Sequence, residues 1–167
     1  MSAFDIIADT VRKSEVFKRH KTPLEKKVLA AMLCLAGLSY RKTAQLLRGI
    51  SYMTVQRAFT ALRDGLPKPE RKYRECIAID ETKLIGEELI VWAAWDLESK
   101  EVLAFRCSFT RSFLDAELFL KDVLQYCMNR PLFLVEKGPW YPYALKNLGL
   151  RFEEPYQKVV TEYSSQV

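Results

Sequence analysis

The stretch Cys76-Ile77-Ala78-Ile79-Asp80-Glu81-Thr82-Lys83 is an apolar run that ends on an acidic pair. A β-branched run bounded by charge is typical of a short buried strand, and the end of this strand would place the carboxylate of Asp80 at the rim of a sheet. A second apolar run, Leu132-Phe133-Leu134-Val135, ends on Glu136. Two strands that each end in a carboxylate predict one shared site, with Glu81 as a rim residue beside it.

The runs that follow the first strand predict a mixed sheet. Residues 89–95 and 102–107 are apolar runs bounded by turn residues, which indicates an antiparallel meander of three strands. A helix after this meander would carry the chain back, so that the Leu132 run lies beside the first strand and parallel to it. Residues 140–148 and 150–153 are predicted to form a further helix and a fifth strand.

The helix that precedes the Leu132 run is predicted to begin after Ser112, its N-cap, and to end near Cys127. Helical spacing puts four apolar residues on one face, namely Leu114, Leu118, Phe119 and Val123. Asp115 would lie off this face. We therefore expect the apolar face, without Asp115, to pack.

The first part of the chain is predicted to be helical. A leading helix falls within residues 1–17, and a second helix falls within residues 23–36, with Thr22 as its cap and Pro23 at its first position. Ser39 and Ser51 would cap two more helices that flank a glycine-containing turn, the second of them over residues 52–63. Two short helices joined by such a turn in a basic segment are typical of a helix-turn-helix.

The predicted helix-turn-helix suggests contacts with double-stranded DNA. Its candidate residues for base or phosphate contact are polar or basic: Arg41, Lys42, Arg48, Tyr52, Thr54, Gln56 and Arg57. The residues expected to pack inward from the last of these helices are apolar: Val55, Ala58, Phe59 and Leu62. A plain helical bundle without a ligand is the alternative.

Charge divides the chain into two parts. Residues 1–75 hold 16 Lys and Arg against 7 Asp and Glu, a net +9, whereas residues 76–167 hold 10 against 14, a net −4. This asymmetry is expected when one part binds phosphates and the other binds metal, and surface solvation is the alternative. Residues 65–75, with two prolines and a glycine, are predicted to link a DNA-binding domain (1–64) to a core domain (76–167).

Composition excludes several other classes of protein. The most apolar stretch, residues 28–38, is too short to span a bilayer, and acidic residues interrupt the opening segment where a signal peptide would be apolar. The four cysteines have no C-x-x-C pairing, which argues against zinc and for buried free thiols. We therefore expect a cytoplasmic protein with no membrane contact and no small-molecule substrate.

The chemistry of the predicted site follows from its oxygen ligands. Two carboxylates without histidine or cysteine favour hard cations such as Mg²⁺ or Mn²⁺. Carboxylates of this kind hold the metals of many phosphoryl-transfer enzymes. Acids at strand ends are also often only solvated boundary residues, so the pair alone does not decide between the two interpretations.

Four ordered segments add a resemblance to a known family: Ile79-Asp80-Glu81-Thr82-Lys83, Trp92-Ala93-Ala94-Trp95-Asp96-Leu97, Thr110-Arg111-Ser112-Phe113-Leu114-Asp115-Ala116 and Glu136-Lys137-Gly138-Pro139-Trp140-Tyr141. With them the chain resembles the DDE transposases of prokaryotic insertion sequences, more narrowly insertion-sequence family six in an archaeal-type version. The resemblance extends over about residues 38–152.

The resemblance implies an α/β fold in which a helix-turn-helix bundle precedes an RNase H-like mixed-sheet core of three antiparallel strands, a helix, a parallel strand and a helix. It also implies homo-oligomers that bind the terminal inverted repeats of a mobile element and cut and join DNA with Mg²⁺ or Mn²⁺ held by three acids. The first two acids fall on Asp80 and Glu136, and both are predicted to be catalytic and to bind the metal. The family has aspartate at the second position, and glutamate is longer by one methylene.

The third acid of the family lies on a later helix that precedes a basic C-terminal region, and neither feature matches the residues before Val167. The expectation is a C-terminally truncated transposase that lacks the last helix of its core and has an incomplete metal site. Part of the sheet face between Trp92 and Trp95 would then be exposed. The alternatives are a non-catalytic DNA-binding remnant, a repressor of transposition and a structural protein whose acid pair has no role.

Overall fold

The computed structural model describes residues 2–19, 21–86, 88–136 and 138–153. Within these residues the chain forms six helices and five strands. In chain order they are α1 (Ala3–Lys13), α2 (Leu24–Leu35), α3 (Tyr40–Leu47), α4 (Tyr52–Gly65), β1 (Cys76–Leu84), β2 (Leu89–Asp96), β3 (Val102–Ser108), α5 (Phe113–Leu124), β4 (Leu132–Leu134), α6 (Trp140–Asn147) and β5 (Phe152–Glu153). Of the three acids that follow Glu136 in the sequence, Glu154 and Glu162 lie outside the part described.

The five strands form one mixed sheet in the order β3-β2-β1-β4-β5. The β1–β2 and β2–β3 pairs are antiparallel, and β4 runs parallel to both β1 and β5. The predicted meander, connecting helix and parallel return strand are therefore confirmed. This strand order, with α5 between β3 and β4, is that of an RNase H-like core.

Alternation along the strands gives the sheet two buried faces. One face packs on α5 and α6, and its largest side chain is Trp92, which is fully buried. The opposite face of β2 and β3 carries Leu89, Val91 and Cys107 and packs on α1 and α2. The expectation of an exposed face between Trp92 and Trp95 is therefore wrong, because the two N-terminal helices cover the side that α5 and α6 leave open.

Serine side chains begin four of the helices. Ser39 and Ser51, predicted as caps, accept hydrogen bonds from the backbone N–H groups of Lys42 and Thr54. The prediction for Thr22 is wrong, since Pro23 occupies the N-cap position of α2 and makes no side-chain bond. A proline disfavours a helical conformation in the residue before it, and Pro23 itself has an extended ψ of 142°, so the helix begins later.

The buried face of α5 differs from the predicted one. Leu114 and Leu118 are 55% and 41% exposed, whereas Asp115 is buried. Ser112 and Asp115 form a capping box, in which each side chain accepts the other's backbone N–H. The helix is therefore rotated so that Asp115 lies inward, and its packed residues are Ala116, Phe119, Leu120 and Val123.

The segment predicted to be a linker is attached to the sheet. The Arg74 side chain is fully buried, and its Nη1 lies 2.9 Å from Oδ2 of Asp96. Its backbone N–H donates to the side chain of Asn129, and Lys72 forms a β-bridge with Cys127. The division into domains at residues 65–75 remains a prediction.

Candidate carboxylate site and basic helical surface

The register of β1 and β4 brings Asp80 and Glu136 together. Ala78 lies opposite Leu134 in the parallel pair, and both pack on the same side of the sheet. Two residues further along each segment are Asp80 and Glu136, so the alternation of side chains directs both carboxylates to that side. The two carboxyl groups are near enough for the charge of Glu136 to raise the pKa of Asp80. The structure thus brings the two predicted site residues into one place.

The surroundings of Asp80 disfavour its charged form. Asp80 is only 6% exposed, and burial, followed by the charge of Glu136, raises its pKa from 3.8 to about 7. The backbone N–H of Glu81 donates to Oδ1 of Asp80 at 2.9 Å and opposes this shift. A bound cation would stabilise the charged form of Asp80, which these surroundings disfavour.

Glu81 faces the other side of the sheet, where it lies opposite Trp92 in the β1–β2 pair. Its side chain is buried, with Oε1 at 3.1 Å from Nη1 of Arg111 and Oε2 without a hydrogen-bond partner in the described residues. Burial raises its pKa from 4.5 to about 7, against the opposing charge of Arg111. Glu81 is therefore a buried acid and not the rim residue expected from its position beside Asp80.

An arginine and two aromatic residues surround Glu81, and sequence reasoning did not single them out. The guanidinium of Arg111 lies 3.8 Å from the ring centroid of Trp140. The Tyr141 hydroxyl is buried without a partner among residues the structure describes, and burial, followed by the charge of Glu81, raises its pKa well above 10. The signal was present in the two later segments that carry the family resemblance, which contain all three residues.

A glycine allows the Trp140 ring to approach the backbone after Glu136. A Cβ atom placed on Gly138 would lie 2.5 Å from Cζ2 of that ring, which is closer than any real carbon contact. The position therefore requires glycine for its lack of a side chain. Through this contact the segment that carries Glu136 is held against the ring on which Arg111 stacks.

The Asp80 and Glu136 pair is suited in chemistry to a divalent cation. Mg²⁺ usually keeps several waters and is held by one or two carboxylates together with substrate phosphates. Over residues 2–19, 21–86, 88–136 and 138–153, no group of three or more His, Cys, Asp or Glu side chains is placed to hold a metal ion. The pair would therefore supply two of the ligands, and the others would have to come from water or from the substrate.

The residues predicted to contact DNA lie on α3, α4 and the turn between them. Six are exposed: Arg41, Lys42, Arg48, Tyr52, Gln56 and Arg57. The guanidinium of Arg41 lies 5.5 Å from the ring centroid of Tyr52. Thr54 is half-buried, and its hydroxyl is engaged with the Ser51 hydroxyl at 2.9 Å. Of the four predicted inward residues, Val55, Ala58 and Leu62 are buried and Phe59 is half-buried.

No described helix is long and apolar enough to cross a bilayer.

No family model matches the chain. Among solved structures, the catalytic core domain of BIV integrase is similar, with a TM-score of 0.41 and 18% identity over 55% of this chain. A chain of the simian T-cell lymphotropic virus intasome gives a TM-score of 0.43 and 13% identity over 83% of this chain. The chain spans 64% and 57% of these two proteins, less than two thirds of either.

A relative of known sequence is much more similar. The uncharacterized protein MJ0017 of Methanocaldococcus jannaschii is 42% identical over 155 residues, which cover 90% of this chain and 72% of the relative. Identity at this level over most of both chains shows common descent. The chain belongs to the same protein family as this M. jannaschii protein.

Proposed function

We propose that the chain is the DNA-binding and metal-binding part of a DDE-type transposase of an insertion sequence, in the archaeal-type version of family six that its motifs resemble. The observation that carries the proposal is the proximity of Asp80 and Glu136 on adjacent parallel segments: Asp80 lies inside β1, which continues past the predicted end at Asp80 to Leu84, and Glu136 follows β4. Its partner would be double-stranded DNA with terminal inverted repeats. Because an element has two ends, the working form would be a homo-oligomer.

The residues of the site have distinct roles in this proposal. Asp80 and Glu136 would hold Mg²⁺ or Mn²⁺ and are the candidate catalytic residues. A divalent ion bound there would polarise a phosphodiester and stabilise the charge that develops during strand cleavage and transfer. Glu81 is held by Arg111 at 3.1 Å on the other side of the sheet, so it is not assigned as a metal ligand. The extra methylene of Glu136 would shift its oxygens relative to an aspartate, and metal sites tolerate only about 0.5 Å of displacement.

Metal binding tests the proposal directly. Isothermal titration of the full chain with MnCl₂ or MgCl₂ should show saturable binding that is lost in Asp80→Asn and weakened in Glu136→Gln. The exposed Glu98→Gln variant is the matched control and should bind as the wild type does. Wild-type protein that binds neither ion would contradict the proposal.

Strand chemistry is the second test. The substrate is a labelled duplex that carries the inverted repeats flanking the gene. We expect metal-dependent nicking or joining that Asp80→Asn abolishes. Nicking that persists at the wild-type rate in Asp80→Asn would assign the activity to a contaminant or to another site.

A second function, DNA binding without chemistry, is favoured by one observation. No third acid joins Asp80 and Glu136 among the residues described, although DDE chemistry uses three. A chain of this kind would still bind the repeats through α3 and α4 and would act as a remnant or as a repressor of transposition. Saturable DNA binding without metal binding would decide for this function.

The basic surface of α3 and α4 can be tested separately. Arg48→Gln and Arg57→Gln should each weaken duplex binding and lower the slope of log K against log salt by about one. Lys68→Gln, an exposed residue outside these helices, is the control. An unchanged slope in both variants would place the DNA contact elsewhere.

A further inference from the structure

A cavity of about 440 Å³ lies in the helical part of the chain. It is formed by the segment that follows α1, by α2 and by one side of α4. The lining residues are Val16, Phe17, Lys18, Arg19, Lys21, Thr22, Lys27, Thr54, Arg57, Ala58 and Ala61. None of these residues belongs to the sheet, so this basic cavity is separate from the Asp80 and Glu136 site.

The basic cavity is lined by positive charge. Five of its eleven described lining residues are basic, and none of the eleven is acidic: the cations are Lys18, Arg19, Lys21, Lys27 and Arg57. Cations that converge on a concave surface without a carboxylate repel one another. An anion in the cavity would relieve this repulsion.

Lys27 distinguishes the basic cavity from an ordinary basic surface. The residue is only 8% exposed, and burial, followed by the charge of Arg19, lowers its pKa. Its ammonium donates one hydrogen bond to the carbonyl of Arg19 and lies 5.2 Å from the Phe17 ring centroid. An ammonium group has three donors, and in the described chain no carboxylate forms an ion pair with this one. Its positive charge is therefore met by a carbonyl dipole and an aromatic ring and not by an anion, which leaves donors free for one.

We propose that the basic cavity binds a phosphate ester, with Lys27 as the buried ligand and Arg57 as a ligand from α4. A phosphate presents several acceptor oxygens, which match the remaining donors of Lys27 and the planar guanidinium of Arg57. The apolar part of the lining, Val16, Phe17, Ala58 and Ala61, fits the uncharged part of such an ester. A nucleotide combines these two features, and it can be free or can belong to a nucleic acid strand.

This inference does not depend on the proposed transposase function. It requires no metal at the Asp80 and Glu136 pair, and it shares only Thr54 and Arg57 with the predicted DNA-contact residues. A failure of metal binding would leave it intact. A failure of the basic cavity to bind phosphate would equally leave the carboxylate pair as it is.

Thermal unfolding of the full chain in sodium phosphate, compared with sodium chloride at matched ionic strength, tests the proposal. We expect a saturable rise in Tm with phosphate, because a ligand that binds only the folded state stabilises it. Lys27→Met should abolish the rise, and Arg57→Gln should weaken the apparent affinity about tenfold. Lys68→Gln, a charge-matched change outside the cavity, should respond as the wild type does.

The same experiment excludes a purely structural role for Lys27. If its function were only to hold the Arg19 carbonyl, Lys27→Met would lower the Tm in chloride and keep the phosphate response. Arg57→Gln removes an exposed side chain and should fold normally, so it tests the site even if Lys27→Met does not fold. A response that does not saturate, or one that is unchanged in Arg57→Gln, would overturn the proposal.

Two probes distinguish the source of the phosphate. If the ester is a free nucleotide, AMP should raise the Tm of the wild type in a saturable way, and Lys27→Met should leave duplex affinity unchanged. If the ester belongs to a DNA strand, Lys27→Met should weaken duplex binding and inorganic phosphate should compete with the duplex. Either result supports the phosphate site, and the absence of both would refute it.

Discussion

At the scale of single residues, the buried carboxylate of Asp80 destabilises the fold when it is charged, and asparagine at this position would not. The pKa of Asp80 rises from 3.8 to about 7, so the folded state holds this proton more tightly than the unfolded chain does. The free energy of unfolding therefore falls as the pH rises from about 4 to about 7 and stays low above that window. Without metal, we expect Asp80→Asn to be more stable than the wild type by about 1 to 3 kcal/mol at about pH 8.

Urea unfolding at about pH 5 and about pH 8 in the presence of a chelator checks this prediction. The difference between Asp80→Asn and the wild type should be larger at the higher pH. Glu98→Gln, an exposed change of the same kind, should show neither effect. If Asp80→Asn were less stable than the wild type at the higher pH, the cost of burying the charged Asp80 carboxylate beside Glu136 would not be the controlling effect.

A second prediction concerns Arg74, which is buried together with Asp96. Arg74 Nη1 lies 2.9 Å from Asp96 Oδ2, and Nε of Arg74 donates to the carbonyl of Tyr126 at 3.0 Å. Replacement of one partner leaves the other charge buried and unpaired, so Arg74→Met should lower the free energy of unfolding by about 3 to 5 kcal/mol. Chemical unfolding is the measurement.

The half-exposed Lys72 pairs with Glu101 at 3.0 Å and supplies the control. Lys72→Met should cost less than about 1 kcal/mol. The double change Arg74→Met with Asp96→Leu should recover part of the loss, because it removes both charges. Equal losses for Arg74→Met and Lys72→Met would mean that burial of the Arg74 pair has no energetic consequence.

At the scale of elements, α5 shows what periodicity can and cannot predict. Its first residue and its Ser112 cap follow from local sequence, and both were predicted, whereas the helix ends at Leu124, before the predicted end near Cys127. Its buried face was predicted only in part, because Leu114 and Leu118 have helical spacing with Phe119 but are exposed. The capping box with Asp115 fixes the rotation of the first turn, and apolar spacing alone does not contain that constraint.

The rotation of α5 leads to a matched pair of substitutions. Leu120 is fully buried, and Leu118 is 41% exposed two residues earlier on the same helix. Leu120→Ala should cost about 2 to 5 kcal/mol, because it leaves a cavity against the sheet. Leu118→Ala should cost less than about 1 kcal/mol. Equal costs in chemical unfolding would contradict the orientation of α5.

The carboxylate pair was predictable because it follows from local sequence, whereas the contacts around it do not. Asp80 and Glu136 each follow an apolar run, and the crossover rule places those runs side by side. The contacts of Glu81 with Arg111 and of Arg111 with Trp140 join residues about 30 positions apart. No local pattern encodes such pairings, so only the fold brings them together.

At the scale of the whole molecule, the packing of the helical part on the sheet was not predicted. Ile7 of α1 belongs to the same buried cluster as Val91 and Cys107 on β2 and β3. The backbone N–H of Ala3 also donates to the hydroxyl of Thr82 on β1 at 2.9 Å. The composition shift at residues 65–75 suggested two separate modules. Charge and proline content carry no information about apolar surface, so they could not reveal the core that the two parts share.

This shared core predicts that the helices and the sheet unfold together. The three tryptophans, Trp92, Trp95 and Trp140, all follow residue 75, whereas four of the six described helices precede it. Tryptophan fluorescence therefore reports the sheet part, and helical circular dichroism reports mainly the part before it. We expect the two signals to give coincident urea transitions, which is the behaviour of one cooperative unit.

A substitution in α1 makes the same prediction sharper. Ile7→Ala should lower the stability of the whole chain by about 2 to 5 kcal/mol and should move both transitions equally, because the deleted atoms lie between α1 and the sheet. Leu46→Ala, on the exposed side of α3, should move neither. If Ile7→Ala moved the helical signal and left the tryptophan signal in place, the two parts would unfold independently, and the cluster that joins α1 and α2 to β2 and β3 would contribute little to stability.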